Sequence, residues 1–258
     1  MKTVSLNQAL AVAVRAARAA GKVMHDNWHK PKRVKLDDIH DVKLELDVRC
    51  QKLIEKILRA AFPEIPLLGE EGDSGDVTAE YRWVVDPIDG TVNYFYGMPH
   101  AAVSIALQHR GESIVGVIYG PFTDELWTTV RGGPTRLNGK IVRVSKRSKL
   151  EDAVIAMGFS KNRENMEKSL PHLNRLARRV KKIRVMGSAA LELAYVASGR
   201  LYAYIERTIN LWDVAAGQLL VENAGGEFYA LPAPGGKMRM CASNGKLRQK
   251  LQIGGLLQ

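Results

Sequence analysis

Only two cysteines occur in the 258 residues of this sequence, which excludes several classes of small stabilised domain. Cys50 and Cys241 lie far apart and form no CxxC pair, so neither a disulfide framework nor a cysteine-based zinc site is predicted. Cys50 falls on the apolar stripe of a predicted helix. We therefore expect a buried free thiol at Cys50, which fits a reducing compartment.

Long apolar runs are also missing, and none reaches the roughly 18 residues that a membrane span requires. The alanine-rich N-terminus is interrupted by Arg15 and Arg18 and has no clear cleavage site, so it does not read as a signal peptide. Its apolar residues recur with helical spacing, and Ser5 and Gln8 fit a capping box in front of them. We predict an amphipathic helix over 5–28 in a cytoplasmic protein with no membrane partner.

Acidic residues are fewer than basic ones, 27 against 38, and the net charge is +11. Such a balance attracts anions in general and leaves nucleic acid, acidic lipid headgroups and phosphorylated metabolites open. The basic residues cluster at 30–35, 146–149 and 178–184. No aromatic residues are interleaved with them, and no zinc-finger or RNP-type signature is present. Solvated faces are the preferred interpretation, with nucleic acid a less favoured partner.

The pattern of elements changes near residue 148. Before it, helices are predicted over 5–28 and 44–61, a short strand at 83–85, and successive strands at 101–108, 113–119 and 125–130. After it, strands at 153–157, 182–186, 201–205 and 226–230 alternate with helices at 163–179, 188–198 and 212–223. This alternation predicts a layered α/β half, residues 149–258, after an α+β half, residues 1–148. No flexible linker separates them, so we expect one tightly joined unit.

Acidic residues and glycines coincide at residues 86–91, which read Asp-Pro-Ile-Asp-Gly-Thr. The apolar strand before them ends in Asp86, and the turn brings Asp86 and Asp89 together with the carbonyl of Ile88 between them. Carboxylates held this close repel each other unless a cation lies among them. An all-oxygen ligand set suits Mg²⁺, Mn²⁺ or Ca²⁺ rather than zinc. Gly90 and Thr91 have amides that could hold a phosphate oxygen.

Two further acidic segments indicate a metal site only in combination with the first. Residues 69–73 read Gly-Glu-Glu-Gly-Asp, which alone is typical of a solvated loop. Asp213 follows Trp212 at the start of a predicted helix, where an acid is favourable in any case. Together, the three segments predict one metal site assembled from distant parts of the chain.

These motifs resemble those of the inositol monophosphatase family. The resemblance rests on GEE at 69–71, DPIDGTVNY at 86–94, GSAALELAYVASG at 187–199, WDVAAG at 212–217 and ENAGG at 222–226. Their order and spacing agree with the family over nearly the whole chain. The resemblance implies an αβαβα layered sandwich, shared with fructose-1,6-bisphosphatases, and hydrolysis of a phosphomonoester. It also implies a homodimer and two or three Mg²⁺ ions, with Mn²⁺ an alternative.

The resemblance further implies a role for each matching residue. The implied metal ligands are Glu70, Asp86, the Ile88 carbonyl, Asp89 and Asp213. Thr91 and Asp47 are expected to orient and deprotonate the attacking water, and Glu70 is counted with them as catalytic. The implied substrate contacts are the amides of Gly90, Thr91 and Ala189, which hold phosphate, and Glu206, which contacts hydroxyl groups of the substrate.

The match also has departures. Leu44 stands where the family often has threonine in a D-x-x-T-x-x-D segment, although the final acid, Asp47, is retained. A family lysine expected upstream has two candidates, Lys35 and Lys43. Asn210 stands where some members have histidine, which affects substrate contacts. No predicted metal ligand is lost.

The preferred function is Mg²⁺-dependent hydrolysis of a small polyol phosphate, with inositol 1-phosphate first. Fructose 1,6-bisphosphate is the second choice, because Lys161 and Arg163 in the segment 159–163 are placed to bind a second phosphate. Histidinol phosphate and nucleotide 3′-phosphates are further alternatives within the same fold. An alternative of another class is an RNA-associated regulatory protein built on a phosphatase scaffold, motivated by the net charge.

Overall fold

The apolar strands of the N-terminal half form one seven-stranded sheet in the computed structural model, which describes residues 4–38, 41–159, 163–247 and 251. Its strand order is β3-β4-β5-β6-β7-β8-β9. The strands are β3 (Leu67–Gly69), β4 (Tyr81–Asp89), β5 (Ala102–His109), β6 (Glu112–Gly120), β7 (Glu125–Val130), β8 (Arg136–Leu137) and β9 (Lys140–Ile141). All neighbours are antiparallel except β3 and β4. The last turn is Asn138-Gly139, both at positive φ, as its sequence predicts.

Two long helices cover one face of this sheet. They are α1 (Leu6–Asp26) and α2 (Glu45–Ala61), and α1 contacts β5 and β6 while α2 contacts β4. Small side chains allow close approach: the buried face of α1 is mainly alanine, and a Cβ on Gly21 would lie 2.5 Å from the ring of Tyr119. An antiparallel pair, β1 (Val34–Asp38) and β2 (Asp41–Leu44), connects the two helices.

The C-terminal half has a second sheet of five strands in the order β11-β10-β12-β14-β13. The strands are β10 (Val154–Met157), β11 (Lys182–Arg184), β12 (Ala203–Ile209), β13 (Glu227–Pro232) and β14 (Met238–Ser243). β10 is parallel to β11 and β12, whereas β14 is antiparallel to β12 and β13. The sheet is therefore mixed.

Helices α5 (Ala189–Ala197) and α6 (Leu211–Asn223) form the layer between the two sheets. Helix α6 contacts β4, β5 and β6 of the first sheet and β13 and β14 of the second. Both helices are buried on nearly all sides, so their sequences are apolar without a polar face. Helix α4 (Arg163–Ala177) contacts β11 and β12. The order of layers is α1/α2, sheet, α5/α6, sheet, α4, which confirms the expected αβαβα sandwich.

Most predicted elements are confirmed, with two corrections and several omissions. β4 continues through Asp89, so Asp86 lies inside a strand and not at its end. β12 begins at Ala203 and runs to Ile209, further than the predicted strand at 201–205. The sequence did not predict β1, β2, β3, β8, β9, β14 or the short helix α3 (Thr91–Phe95).

Both cysteines are free and buried, as expected for Cys50. Among the described residues, no helix is long and apolar enough to cross a membrane. The division of the chain at residues 148 and 149 stays a prediction. The contacts of α6 with both sheets support the view that the two parts act as one unit.

Candidate active site

An irregularity in β4 brings two carboxylates to the same place. The register of β4 against β5 shifts between Asp86, opposite Ser104, and Asp89, opposite Ala102. Pro87 lies within the shift, where its lack of an N–H removes a ladder hydrogen bond. The N–H of Ile88 donates to Oδ1 of Asp86 at 3.0 Å, which fixes the first carboxylate.

Asp213 joins this pair from the start of α6. One oxygen from each of Asp86, Asp89 and Asp213 lies within 4.8 Å of the other two, and the first two side chains are buried. Oδ2 of Asp213 accepts hydrogen bonds from the N–H of Asn210 at 2.9 Å and from its amide nitrogen at 3.2 Å. Asn210, at the position where some family members have histidine, therefore caps α6 and orients an acidic residue.

Glu70 lies beside the three aspartates and lines the same cavity. Its carboxyl lies close to that of Asp86. Burial, with repulsion from Asp213 second, raises the pKa of Glu70 to about 7. Burial, followed by repulsion from Glu70, also raises the pKa of Asp86 well above its ordinary value. The cluster is thus unfavourable in its fully ionised form without a cation.

Asp89 is held by the N-terminus of α5. The hydroxyl of Ser188 donates to its Oδ2, and the N–H groups of Ala189 and Ala190 donate to its two oxygens at 3.2 and 2.9 Å. Burial raises the pKa of Asp89 to about 7, and these hydrogen bonds oppose that rise. The amide of Ala189 therefore faces a carboxylate here, and the phosphate-binding role expected for it stays a prediction.

Thr91 and Asp47 meet as the resemblance implies. The Thr91 hydroxyl lies 2.8 Å from the carbonyl oxygen of Ile88 and 3.4 Å from Oδ1 of Asp47. The other oxygen of Asp47 accepts the N–H of Leu44 at 2.7 Å at the start of α2. Burial raises the pKa of Asp47 to about 7. At neutral pH this carboxylate can accept a proton.

The cluster lines a cavity of about 960 Å³. The cavity is lined by nine of the ten residues predicted for the site, which are Glu70, Asp86, Ile88, Asp89, Gly90, Thr91, Ala189, Glu206 and Asp213. The tenth, Asp47, reaches the site through Thr91. Lys43 also lines the cavity and lies 3.4 Å from Glu71, whereas Lys35 is exposed. Of the two lysine candidates, Lys43 is the one at the cavity.

The sequence did not predict the residues that hold the segment 69–73 and the segment before α5 in place. Gln51 accepts the N–H of Glu71 at 3.0 Å and donates to the carbonyl of Gly72 at 2.7 Å. Asn93 donates to the carbonyls of His100 and Met186 at 2.9 and 2.7 Å, which ties α3 to the segment before α5. Ser188 had a detectable signal, because serine before a helical pattern is a typical N-cap. Gln51 had none, since it reads as an ordinary helix residue.

The donor set fits a hard cation. The converging groups are carboxylates and one carbonyl, and no cysteine or histidine takes part in the described cluster. Burial, followed by mutual repulsion, raises the pKa values of Glu70 and Asp86, and positive charge among the carboxylates favours their ionised form. The chain can therefore hold a metal ion between Asp86, Asp89 and Asp213.

Comparison with known proteins gives the family. A sequence model of the inositol monophosphatase family matches residues 5–250. The chain belongs to the inositol monophosphatase family. It is 41% identical over 231 residues to inositol-1-monophosphatase of Rhizobium meliloti, covering 88% of this chain and 86% of that protein. It is 42% identical over 234 residues to the Nus factor SuhB of Xylella fastidiosa, covering 88% and 84%.

Solved structures of family members agree with the fold. The extragenic suppressor protein SuhB of Bartonella henselae superposes with a TM-score of 0.88 at 36% identity, over 95% of this chain and 97% of that one. Inositol monophosphatase of Anabaena gives 0.83 at 35% identity, over 96% and 94%. The protein is thus a phosphoric monoester hydrolase of a metal-dependent family, and its substrates are phosphorylated.

Proposed function

We propose that the protein hydrolyses the phosphomonoester of a small polyol, inositol 1-phosphate first, with Mg²⁺ as its cofactor. The observation that carries the proposal is the set of acidic groups that line the cavity. Asp86, Asp89 and Asp213 converge, Glu70 lies beside them, and Glu206 on β12 lines the same cavity. In the proposed complex the phosphate lies at the aspartates and the alcohol of the ester lies next to Glu206, which is a hydrogen-bond acceptor for hydroxyl groups.

The metal ligands in this proposal are Glu70, Asp86, the Ile88 carbonyl, Asp89 and Asp213. When bound there, Mg²⁺ neutralises the charge of the phosphate and lowers the pKa of water. An all-oxygen set with buried carboxylates favours Mg²⁺ over softer metals, and Mn²⁺ is the expected substitute.

The protein's own residues orient the nucleophile in this proposal. The Thr91 hydroxyl donates to the carbonyl oxygen of Ile88 and can in turn accept a hydrogen bond from a water molecule beside it. Asp47, 3.4 Å away, takes the proton that this water loses. Its pKa near 7 suits a general base at neutral pH. The amides of Gly90, Thr91 and Ala189 are proposed to hold the phosphate oxygens.

The test is release of inorganic phosphate from inositol 1-phosphate, fructose 1,6-bisphosphate, histidinol phosphate and a nucleotide 3′-phosphate. We expect the highest kcat/KM for inositol 1-phosphate with Mg²⁺ and no turnover in EDTA. Preference for fructose 1,6-bisphosphate would contradict the substrate assignment. It would instead favour the alternative based on Lys161, which lies outside the described residues, and Arg163, where α4 begins. Full turnover without metal would contradict the mechanism.

A second candidate function is binding of RNA. The structure brings two basic clusters to one edge of the second sheet, because Lys181 donates to the carbonyl of Ala153 at 2.9 Å and Lys182 pairs with Val154. The segment 146–149 is separated from β10 by a short 3-10 helix, Leu150–Asp152, and its lysines and arginine are exposed, as are the basic residues from 178 to 184. The Xylella relative named Nus factor SuhB adds support for a role outside catalysis.

For this second candidate we expect a gel shift of single-stranded RNA at low salt that weakens steeply as salt increases, since phosphate contacts release counterions. Replacing Lys181 and Lys182 with glutamate should reduce the shift while phosphatase activity is retained. Absence of any shift near physiological salt would contradict RNA binding. The homodimer expected from the family and the cytoplasmic location expected from the sequence stay predictions.

A further inference from the structure

A second group of titratable side chains lines the cavity besides the cluster of aspartates. Its members are Glu192 on α5 and Tyr204 and Glu206 on β12. Tyr204 and Glu206 are two residues apart on a strand, so their side chains point to the same face. Glu192 and Tyr204 are each 1% exposed, whereas Glu206 is only partly buried. Glu206 is therefore the member of the group that is most accessible to a substrate.

Tyr204 interacts with both carboxyl groups and holds one of them. Its hydroxyl donates to Oε2 of Glu206. A phenol has one proton to donate, and this hydrogen bond uses it. Glu192 lies on the other side of the pair, where burial, with repulsion from Glu206 second, raises its pKa well above the ordinary value.

The backbone fixes both carboxyl groups, Glu192 and Glu206. The N–H of Met186 donates to Oε1 of Glu192 at 3.1 Å. At the other end, Glu206 packs directly on Gly158, where an added Cβ would lie only 2.4 Å from the carboxyl carbon. The N–H of Gly158 donates to the carbonyl of Ile205 at 2.9 Å, so this close approach is built into the strand pairing. Glu206 has little freedom to change its rotamer.

We propose that Tyr204 is a positioning residue that holds the Glu206 carboxylate in place as an acceptor for the hydroxyl groups of the leaving alcohol. This inference deepens the proposed function and rests on it. A carboxylate fixed there favours a neutral, hydroxyl-rich alcohol. It disfavours one that carries a second phosphate close to the reacting one, because like charges repel. The wall thus selects polyols over bisphosphates.

The test compares two esters, inositol 1-phosphate and phenyl phosphate. The leaving group of phenyl phosphate has no further hydroxyl. For Tyr204→Phe we expect the ratio of their kcat/KM values to fall about 10-fold, the effect of one charge-assisted hydrogen bond. The loss should appear mainly in KM for inositol 1-phosphate, with phenyl phosphate nearly unchanged. Tyr202→Phe is the matched control, since Tyr202 is a buried tyrosine that does not line the cavity.

A double variant separates positioning from a general structural effect. If Tyr204 acts through Glu206, Tyr204→Phe combined with Glu206→Gln should lose no more preference than Glu206→Gln alone. If Tyr204→Phe does not fold, Glu192 provides the same test. Glu192→Gln keeps an acceptor for Met186 and a donor for Tyr204 and should retain the preference, whereas Glu192→Leu should lose it.

Equal losses for both esters, or losses that multiply in the double variant, would overturn the positioning role. If the wild-type protein prefers inositol 1-phosphate and Tyr204→Phe keeps that preference, the positioning role is contradicted and the proposed function is not. Wild-type protein that hydrolyses neither ester would contradict the proposed function itself, and the inference with it.

Discussion

Asp86→Asn should reduce kcat for metal-dependent phosphate release by at least about 10³-fold. Asp86 is the aspartate in contact with Glu70, and it shares the cluster with Asp89 and Asp213. Asparagine has the same shape and can still accept the N–H of Ile88, so the backbone of β4 is preserved. The variant removes one negative charge from the ligand set. A bound metal contributes several kcal/mol to the stabilisation of the transition state, and about 1.4 kcal/mol corresponds to tenfold in rate.

The measurement is phosphate release together with calorimetric titration of Mg²⁺, with circular dichroism to confirm folding. Asp124→Asn is the matched control: Asp124 lies at an exposed turn at positive φ, outside the cavity, where asparagine is equally tolerated. It should keep full turnover. Retention of metal-dependent turnover within tenfold by Asp86→Asn would show that the aspartate cluster is not the metal site.

The metal-free protein should become less stable as pH rises from about 4 to 7. Burial raises the pKa of Asp47, Glu70 and Asp89 to about 7, while in the unfolded chain these carboxyls titrate near 4. Between these values the folded state binds more protons than the unfolded state, so the free energy of unfolding falls with rising pH. We expect a decrease of about 2 kcal/mol or more between pH 5.5 and pH 8, or several degrees in Tm.

Thermal unfolding in EDTA and in Mg²⁺, at both pH values, measures this effect. Mg²⁺ should raise Tm more at pH 8, where the carboxylates are ionised and ready to bind it. Glu70→Gln removes one of the titrating groups and should show a shallower pH dependence in EDTA. This comparison matters because the net charge of +11 increases at low pH and works in the opposite direction. Identical pH dependence in both proteins would contradict the assignment of the effect to the cluster.

The sequence predicted the site better than it predicted the elements that build it. Asp86, Asp89 and Asp213 could be selected because acids beside glycines, in an order shared with a known family, are specific. The placement of Asp86 and Asp89 inside β4 could not be predicted, because Pro87 argues against a regular strand and only the pairing with β5 shows that the strand continues past a register shift. Strands as short as β3 have too few residues for a periodic pattern.

The sequence could not predict the side-chain networks, for a different reason. Gln51 and Asn93 act through contacts with Glu71 and Met186, which are distant in the chain, and the recognised motif that contains Asn93 does not reveal its partner. Tyr204 acts on Glu206, two residues away, but the sequence does not show that the two side chains meet. Glu192 falls inside a motif that was recognised, but its buried carboxyl reads as an ordinary helix residue until α5 is packed between two sheets. Conversely, Ser188 carries a local N-cap signal, and its bond to Asp89 is what connects that signal to the site.

The layer formed by α5 and α6 has a consequence for synthesis of the protein. Glu70 and Asp213 are separated by 143 residues (213 − 70), and Asp213 reaches the cluster only when α6 lies between the sheets. At about 5–20 residues per second, a ribosome needs on the order of ten seconds to add the last ligand after the first. During that interval the proposed ligand set is incomplete, so we expect metal capture to be a late event that follows docking of α6.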